Sequence, residues 1–146
     1  MSRASVRTAA LEIMLFTVGG TRYGIDLGQI SGVVRELPEE HAFESWADES
    51  TILFRGRQVP VFMATDMLAP CAARNPKEVI IFNDGVGLFG MAVDSTDDVV
   101  EVSPGNDLYT FPPQEISEES PCRPWGLFTY CERPVILLDM TTVAVH

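Results

Sequence analysis

An internal repeat is the feature of this sequence that most constrains its fold. The segment IMLFTVGGTRYGIDLGQISGVVRE, which starts at Ile13, aligns without gaps with VIIFNDGVGLFGMAVDSTDDVVEV, which starts at Val79. The aligned pairs are Phe16 with Phe82, Gly19 with Gly85, Tyr23 with Phe89, Gly24 with Gly90, and Val33 and Val34 with Val99 and Val100, a constant offset of 66 in the numbering. Because glycines match as well as apolar residues, the repeat predicts two copies of one small structural unit.

A second pair of segments repeats in the same order. LFRGRQVPVF from Leu53 aligns with LFTYCERPVI from Leu127, which places Pro60 on Pro134 and gives an offset of 74 in the numbering. The order of hairpin, third strand and hairpin therefore occurs twice. This order predicts two similar small barrels of about five strands each, packed side by side.

The local pattern favours an all-β fold. Short runs rich in Val, Ile, Phe and Leu are broken by Gly, Pro, Asn and Asp about every ten residues, which is typical of barrels and sandwiches. Hairpin turns are predicted at residues 19–20, 55–57, 83–85 and 130–133. Pro60 and Pro134 cannot donate to a ladder, so each predicts an edge strand or a bulge.

The chain of 146 residues is expected to form one domain with two lobes. Residues 1–10 are interpreted as a flexible leader and residues 11–146 as the domain. Its first lobe is expected over about residues 11–68 together with the C-terminal segment, and its second over about residues 77–138. Residues 65–78 contain a short helical connector in this interpretation, and residues 37–50 and 103–124 form loops.

Charge and cysteine content exclude several classes of protein. A net charge of −11 and a pI near 4.4 argue against nucleic acid as a partner. Three cysteines without a C-x-x-C pair argue against a disulfide framework or a zinc site, and the cytoplasm is the expected compartment. No apolar run approaches the roughly 20 residues of a membrane-spanning helix, so no direct membrane insertion is expected.

The inventory of reactive residues is small. His41 and His146 have no neighbouring ligand at metal-binding spacing, and neither a catalytic residue nor a cofactor or metal site is predicted. Asp94, Asp97 and Asp98 cluster after an apolar strand. They fit a cap on a turn, and an acid/base pair completed by a distant partner is the alternative.

Four motifs, in order and spacing, resemble the CheW-like domain, the family of the chemotaxis coupling protein and of the regulatory domain of its histidine kinase. They are Tyr23 to Asp26 (YGID), Leu53 to Gly56 (LFRG), Val59 to Val61 (VPV) and Val93-Asp94. The resemblance extends from about Leu11 to Val143. It implies two tandem five-stranded β-barrel lobes of the SH3 or OB type with short helical connectors.

The resemblance also implies an adaptor without catalysis. Such a protein bridges the cytoplasmic tip of a chemoreceptor, a methyl-accepting chemotaxis protein, and the regulatory domain of a CheA-like histidine kinase, and is recruited to membrane receptor arrays. The chain departs from the family pattern at Gly32, where a glutamate is usual, at Leu53, where asparagine is usual, and near Met63, where aspartate is usual. These departures lie in regions that the family uses for docking.

A protein-binding surface is predicted around the LFRG turn. Arg55 is the expected polar contact to a carboxylate or carbonyl of the partner, and its alternative role is to bond local carbonyls within the turn. The candidate apolar walls are Ile30, Val33, Ile52 and Phe54, for which core burial is the alternative. A barrel that senses a small ligand or peptide is the alternative function, and a divergent hydrolase-like enzyme is a further one.

Overall fold

A computed structural model describes residues 10–35, 51–69, 76–83, 87–103, 108–111 and 123–140. Within these residues lie eleven strands, a 3-10 turn (Leu27–Gln29) and one short helix, α1 (Ala64–Leu68). The strands are β1 (Leu11–Val18), β2 (Thr21–Asp26), β3 (Ile30–Val34), β4 (Thr51–Phe54), β5 (Arg57–Met63), β6 (Glu78–Asn83), β7 (Leu88–Val93), β8 (Ser95–Val102), β9 (Tyr109–Thr110), β10 (Arg123–Tyr130) and β11 (Arg133–Asp139).

The described residues contain no helix with the length and apolar character needed to cross a bilayer. The predicted leader, apart from residue 10, and the 37–50 loop lie outside these residues, as do the turn at 84–86 and the chain after residue 140.

The strands form two curled sheets, which confirms the predicted all-β fold with two lobes. The strand order is β8-β1-β2-β11-β10-β9 in the six-stranded sheet and β3-β6-β7-β5-β4 in the five-stranded sheet. The two-residue strand β9 is additional to the five strands expected per lobe. Each sheet joins two antiparallel hairpins through one parallel pair, β2 with β11 and β5 with β7.

The sheets exchange strands between the two halves of the chain. The β1–β2 hairpin pairs with β8 and β11, and it does not pair with β3, which follows it in the sequence. Strand β3 pairs with β6 in the other sheet. The lobe boundaries at about residues 11–68 and 77–138 stay a prediction, because sheet membership alone does not delimit a lobe.

The strand registers confirm the first repeat. Phe16 pairs with Tyr23 across β1 and β2, and Phe82 pairs with Phe89 across β6 and β7, so both partners are shifted by the offset that the sequence predicts. Each aromatic pair is stacked, with ring centroids 5.7 Å apart in the first hairpin and 5.3 Å apart in the second.

The second repeat is real, but its predicted offset of 74 is wrong by two. The last pair before the turn is Phe54 with Arg57 in one hairpin and Tyr130 with Arg133 in the other, which gives an offset of 76. Strand side chains alternate with a period of two, so a slip of two residues leaves every side chain on the same face. Matching apolar residues and prolines by sequence could not detect such a slip.

The two prolines lie on inner strands, which differs from the predicted edge or bulge. Pro60 on β5 pairs with Thr51, and β5 begins its parallel pairing with β7 at Val61, the next residue. Pro134 on β11 likewise precedes the parallel pairing with β2, which begins at Ile136. Each proline therefore lies just before the parallel pairing of its strand begins. Its missing N–H does not remove a hydrogen bond from the parallel ladder of the described residues.

Alternation along the strands separates the core into three clusters. A central cluster draws on both sheets: Met14, Phe16, Val18, Tyr23, Ile25, Ala64, Ile80, Phe82, Phe89, Met91, Val93, Leu138 and Met140. The other two are inner clusters, one on the opposite face of each sheet: Ile52, Val59, Val61, Met63, Val79, Ile81 and Ala92 in the five-stranded sheet, and Ile13, Leu15, Val102, Phe128, Val135 and Leu137 in the six-stranded sheet. Five members of one inner cluster correspond to five members of the other through the two repeats. The pairs are Ile13 with Val79, Leu15 with Ile81, Ile52 with Phe128, Val59 with Val135, and Val61 with Leu137.

Gly24 on β2 and Gly90 on β7 let side chains of the neighbouring strands pack directly against the backbone of these two strands. A Cβ atom on Gly24 would lie 2.6 Å from Cγ2 of Ile13, and one on Gly90 would lie 2.8 Å from Cγ1 of Val79. The two covering side chains are themselves repeat partners. Glycine at these two positions therefore leaves room for the inner cluster of each sheet.

We expect Gly24→Ala and Gly90→Ala each to lower the free energy of unfolding by about 1–3 kcal/mol, because the added methyl overpacks the core. Urea unfolding followed by circular dichroism measures this change. Gly87→Ala is the control, since a Cβ there would have no heavy atom of the described residues within 4 Å. A loss in the control as large as in the two variants would contradict the packing explanation.

The hairpins β4–β5 and β10–β11, which are equivalent in the second repeat, differ in how their turns accommodate a positive φ. Arg55 and Gly56 have φ of 53° and 80°, whereas Cys131 and Glu132 have φ of 53° and 66°. Glycine, which has no Cβ, adopts this left-handed region without steric cost, whereas L-residues with a side chain do not.

We expect Glu132→Gly to raise the free energy of unfolding by about 1 kcal/mol, because it removes the left-handed conformation of a side-chain-bearing residue. The equivalent residue in the β4–β5 hairpin is Gly56. The opposite change there, Gly56→Ala, should lower the free energy of unfolding by a similar amount. Thermal unfolding of both variants measures the difference. Equal shifts of the same sign would show that the turn conformation is not responsible.

Candidate functional site

The β4–β5 hairpin carries the predicted surface, and its alternation decides which side chains face outward. Ile52 is 3% exposed and belongs to the inner cluster of the five-stranded sheet, whereas Leu53 is 65% exposed. Ile52 therefore has no free surface to form the wall of a groove. Leu53, which the sequence indicates only as a departure from the family pattern, is the exposed apolar side chain of this strand.

Phe54 connects the two edge strands of the five-stranded sheet. Its half-buried ring packs against the inner cluster and lies over Gly32 on β3. A Cβ on Gly32 would lie 2.7 Å from Cζ and 3.0 Å from Cε1 of that ring. Because β3 and β4 are at opposite ends of the strand order, this contact closes the gap between the sheet edges.

Arg55 follows Phe54 and lies over its ring. The guanidinium carbon is 4.8 Å from the ring centroid, and the side chain is exposed. No hydrogen bond or ion pair joins Arg55 to another of the described residues, so the alternative role of bonding local turn carbonyls is not seen there. The cation–π contact leaves the N–H edges of the guanidinium available to a partner.

Ile30 and Val33 occupy a different position from Phe54 and Arg55. Both are half-buried on β3 and pack against the central cluster, whereas Val34 packs against the inner cluster together with Phe54. The irregularity between Ile30 and Gly32 shifts the register of β3 at this point. The structure thus brings Phe54 and Arg55 together with Gly32. Ile30 and Val33 pack against the central cluster, so they do not share a face with Phe54.

The equivalent position in the six-stranded sheet is charged and open. The two repeats place Asp98 on Gly32, Arg22 on Leu88 and Tyr130 on Phe54. The guanidinium carbon of Arg22 lies 5.8 Å from the centroid of the Tyr130 ring. The charge interaction with the neighbouring Cys131, then burial and the Asp98 carboxylate, raise the pKa of the Tyr130 phenol. A cavity of about 210 Å³ lies here, lined by residues 100–103 and 128–130.

The clustered carboxylates hold a turn. The Gly19 N–H donates to Oδ2 of Asp94 at 2.9 Å, and the Asp94 N–H donates to the Thr17 carbonyl at 3.0 Å. The Thr17 hydroxyl donates to Asp97 at 3.0 Å. The interpretation of these residues as a turn cap is confirmed for Asp94.

Within the part of the chain that the structure describes, no group of three or more His, Cys, Asp or Glu residues could hold a metal ion. His41 and His146 lie outside that part.

Comparison with known proteins agrees with this geometry. The family model of the CheW-like domain matches residues 12–145. The crystal structure of the scaffolding protein TtCheW from Thermoanaerobacter tengcongensis is similar to the chain, with a TM-score of 0.68, 18% identity and 92% of each chain covered. No curated protein matches. Because the family model spans nearly the whole sequence and the two-sheet fold has the same architecture as TtCheW, this chain belongs to the CheW-like domain family.

Proposed function

We propose that this protein is a non-catalytic adaptor that couples chemoreceptors to a CheA-like histidine kinase in the cytoplasm. Its expected partners are the cytoplasmic tip of a receptor and the regulatory domain of the kinase. Membership of a family of chemotaxis scaffolds and adaptors supports the general role. The single observation that carries the choice of surface is Arg55, an exposed cation without an ion-pair partner among the described residues of a chain with net charge −11.

The geometry of Arg55 suits recognition of a carboxylate. A guanidinium stacked on an aromatic ring is restricted in orientation, and its planar fork can donate two parallel hydrogen bonds to one carboxylate. The exposed Leu53 adds apolar surface on the same hairpin. An acidic, partly apolar face of a helical receptor tip fits this combination, because helical partners are commonly held by apolar anchors with a polar contact that sets the register.

The five predicted contact residues have different parts in this proposal. Arg55 supplies the polar contact, and Phe54 holds it in place. Ile30 and Val33 offer the half-buried apolar surface of β3, which suits a second contact of the same partner or the other partner. Ile52 supports the hairpin from the core and makes no direct contact.

We expect Arg55→Glu to weaken binding to the receptor tip, the kinase regulatory domain or both by roughly tenfold or more, about 1.4 kcal/mol, since it removes the donor and repels a carboxylate. Isothermal titration calorimetry with each purified partner measures the change. Arg57→Glu is the matched control, because Arg57 is an exposed arginine two residues away on the same hairpin.

Equal losses for both arginine variants would show that only net charge matters. Unchanged affinity of Arg55→Glu for both partners would overturn the assignment of the surface. If the wild-type protein binds neither partner and a small metabolite raises its Tm, the small-ligand sensor is the better explanation, because a ligand that binds only the native state stabilises it.

A further inference from the structure

We propose that Gly32 is a positioning residue for Arg55, which it influences through the ring of Phe54 without touching Arg55. The absence of a side chain at position 32 lets the tip of the ring pack against β3, and the ring in turn orients the guanidinium that the partner contacts. The consequence for binding rests on the proposed function. The consequence for the side chain of Arg55 does not.

The first step is the contact between Gly32 and Phe54. A Cβ on Gly32 would meet three atoms of the ring, at 2.7, 3.0 and 3.8 Å. Carbon atoms pack optimally at about 3.5–4.0 Å, so even one methyl group displaces the ring. No backbone atom is among these three neighbours, so the ring of Phe54 is the group that must move.

The second step is the direction in which the ring can move. Phe54 packs inward against the inner cluster of the five-stranded sheet, where Leu88 and Val34 also pack. Close-packed cores accept little additional volume, so the ring cannot retreat toward the core. The ring must therefore leave its present position relative to the guanidinium of Arg55.

The third step is the link from the ring to Arg55. The backbone of Arg55 is held in the turn at a φ of 53°, and its guanidinium lies 4.8 Å from the centroid of the Phe54 ring. Moving the ring therefore releases the side chain into many rotamers. A guanidinium that is no longer held loses conformational entropy when a partner binds it, and this weakens binding.

The other half of the repeat provides an internal comparison. At the position equivalent to Gly32 stands Asp98, which has a side chain. The aromatic residue there, Tyr130, borders an open cavity, and the cation over its ring is Arg22 of β2 instead of a residue of its own turn. The five-stranded sheet, which has glycine at this position, is thus the sheet in which the gap between the edge strands is closed and an arginine of the same turn lies over the aromatic ring.

The residue at position 32 thus sets specificity indirectly. With glycine there, the hairpin presents a fixed guanidinium above an apolar ring, which suits a partner that offers a carboxylate in one defined position. We expect partners that bind Arg55 only through diffuse charge to be insensitive to residue 32.

The first experiment uses the protein alone. In the wild-type chain the ring current of Phe54 should shift the side-chain proton resonances of Arg55 upfield in NMR spectra. Gly32→Ala should move them most of the way to the values of Phe54→Leu, which lacks the ring. Gly87→Ala, whose added methyl has no neighbour within 4 Å in the part of the chain that the structure describes, should leave them unchanged. Identical Arg55 shifts in the wild type and Gly32→Ala would overturn the inference.

The second experiment measures the binding consequence by a double-mutant cycle with the receptor tip and the kinase regulatory domain. Gly32→Ala should weaken the affected complex by roughly fivefold in the wild type and have no further effect in the Arg55→Ala background. Additive losses would show that Gly32 acts independently of Arg55 and would overturn the positioning role. If the wild-type chain binds neither partner, the proposed function fails, whereas the NMR experiment still decides the geometry.

A third variant covers the case in which Gly32→Ala does not fold. Phe54→Ala removes the ring and leaves room at position 32, so the double variant Gly32→Ala/Phe54→Ala should fold. Phe54→Ala alone should then reduce affinity as much as Arg55→Ala does. Unchanged affinity of Phe54→Ala would contradict the role of the ring.

Discussion

Burial of the two repeated hairpins on both of their faces is the constraint on which the rest of this structure depends. Alternate residues of β1 and β6 enter either the central cluster or the inner cluster of their own sheet, so neither strand has a solvent-facing side along most of its length. Gly24 and Gly90 make this possible, because a side chain at either position would collide with the β-branched residue above it. The edges and hairpin tips are therefore the parts that remain available to other molecules.

The two sheets use the same architecture with different chemistry at the gap between their edges. In the five-stranded sheet an apolar ring lies on a glycine and closes the gap, and in the six-stranded sheet Tyr130 lies beside Arg22 and borders an open cavity. The equivalent positions carry different side chains, with Gly32 and Phe54 in one sheet and Asp98 and Tyr130 in the other. Partner recognition by such a protein can consequently differ between its lobes without any change of fold.

Charge separates the proposed docking hairpin from the rest of the molecule. The chain is strongly acidic, yet the tip of the β4–β5 hairpin carries two exposed arginines, Arg55 and Arg57. The surrounding negative charge disfavours nonspecific contacts with other acidic surfaces, and the guanidinium of Arg55, placed over the Phe54 ring, favours a partner that presents a carboxylate at one place. Among the aspartates that cluster after β7, Asp94 has a structural task, since it holds the Gly19 turn.

The sequence by itself determined the all-β class, the twofold repeat, the hairpin turns at residues 19–20, 55–57 and 130–133, and the family resemblance. These features are encoded by local periodicity, by glycine at the turns and by motif order, all of which can be read along one chain. Only the tertiary structure decided the true register of the second repeat, the inward direction of Ile52 and the contact of Phe54 with Gly32. A period of two is unchanged by a slip of two residues, and a contact between edge strands depends on how the sheet curls, which no local pattern specifies.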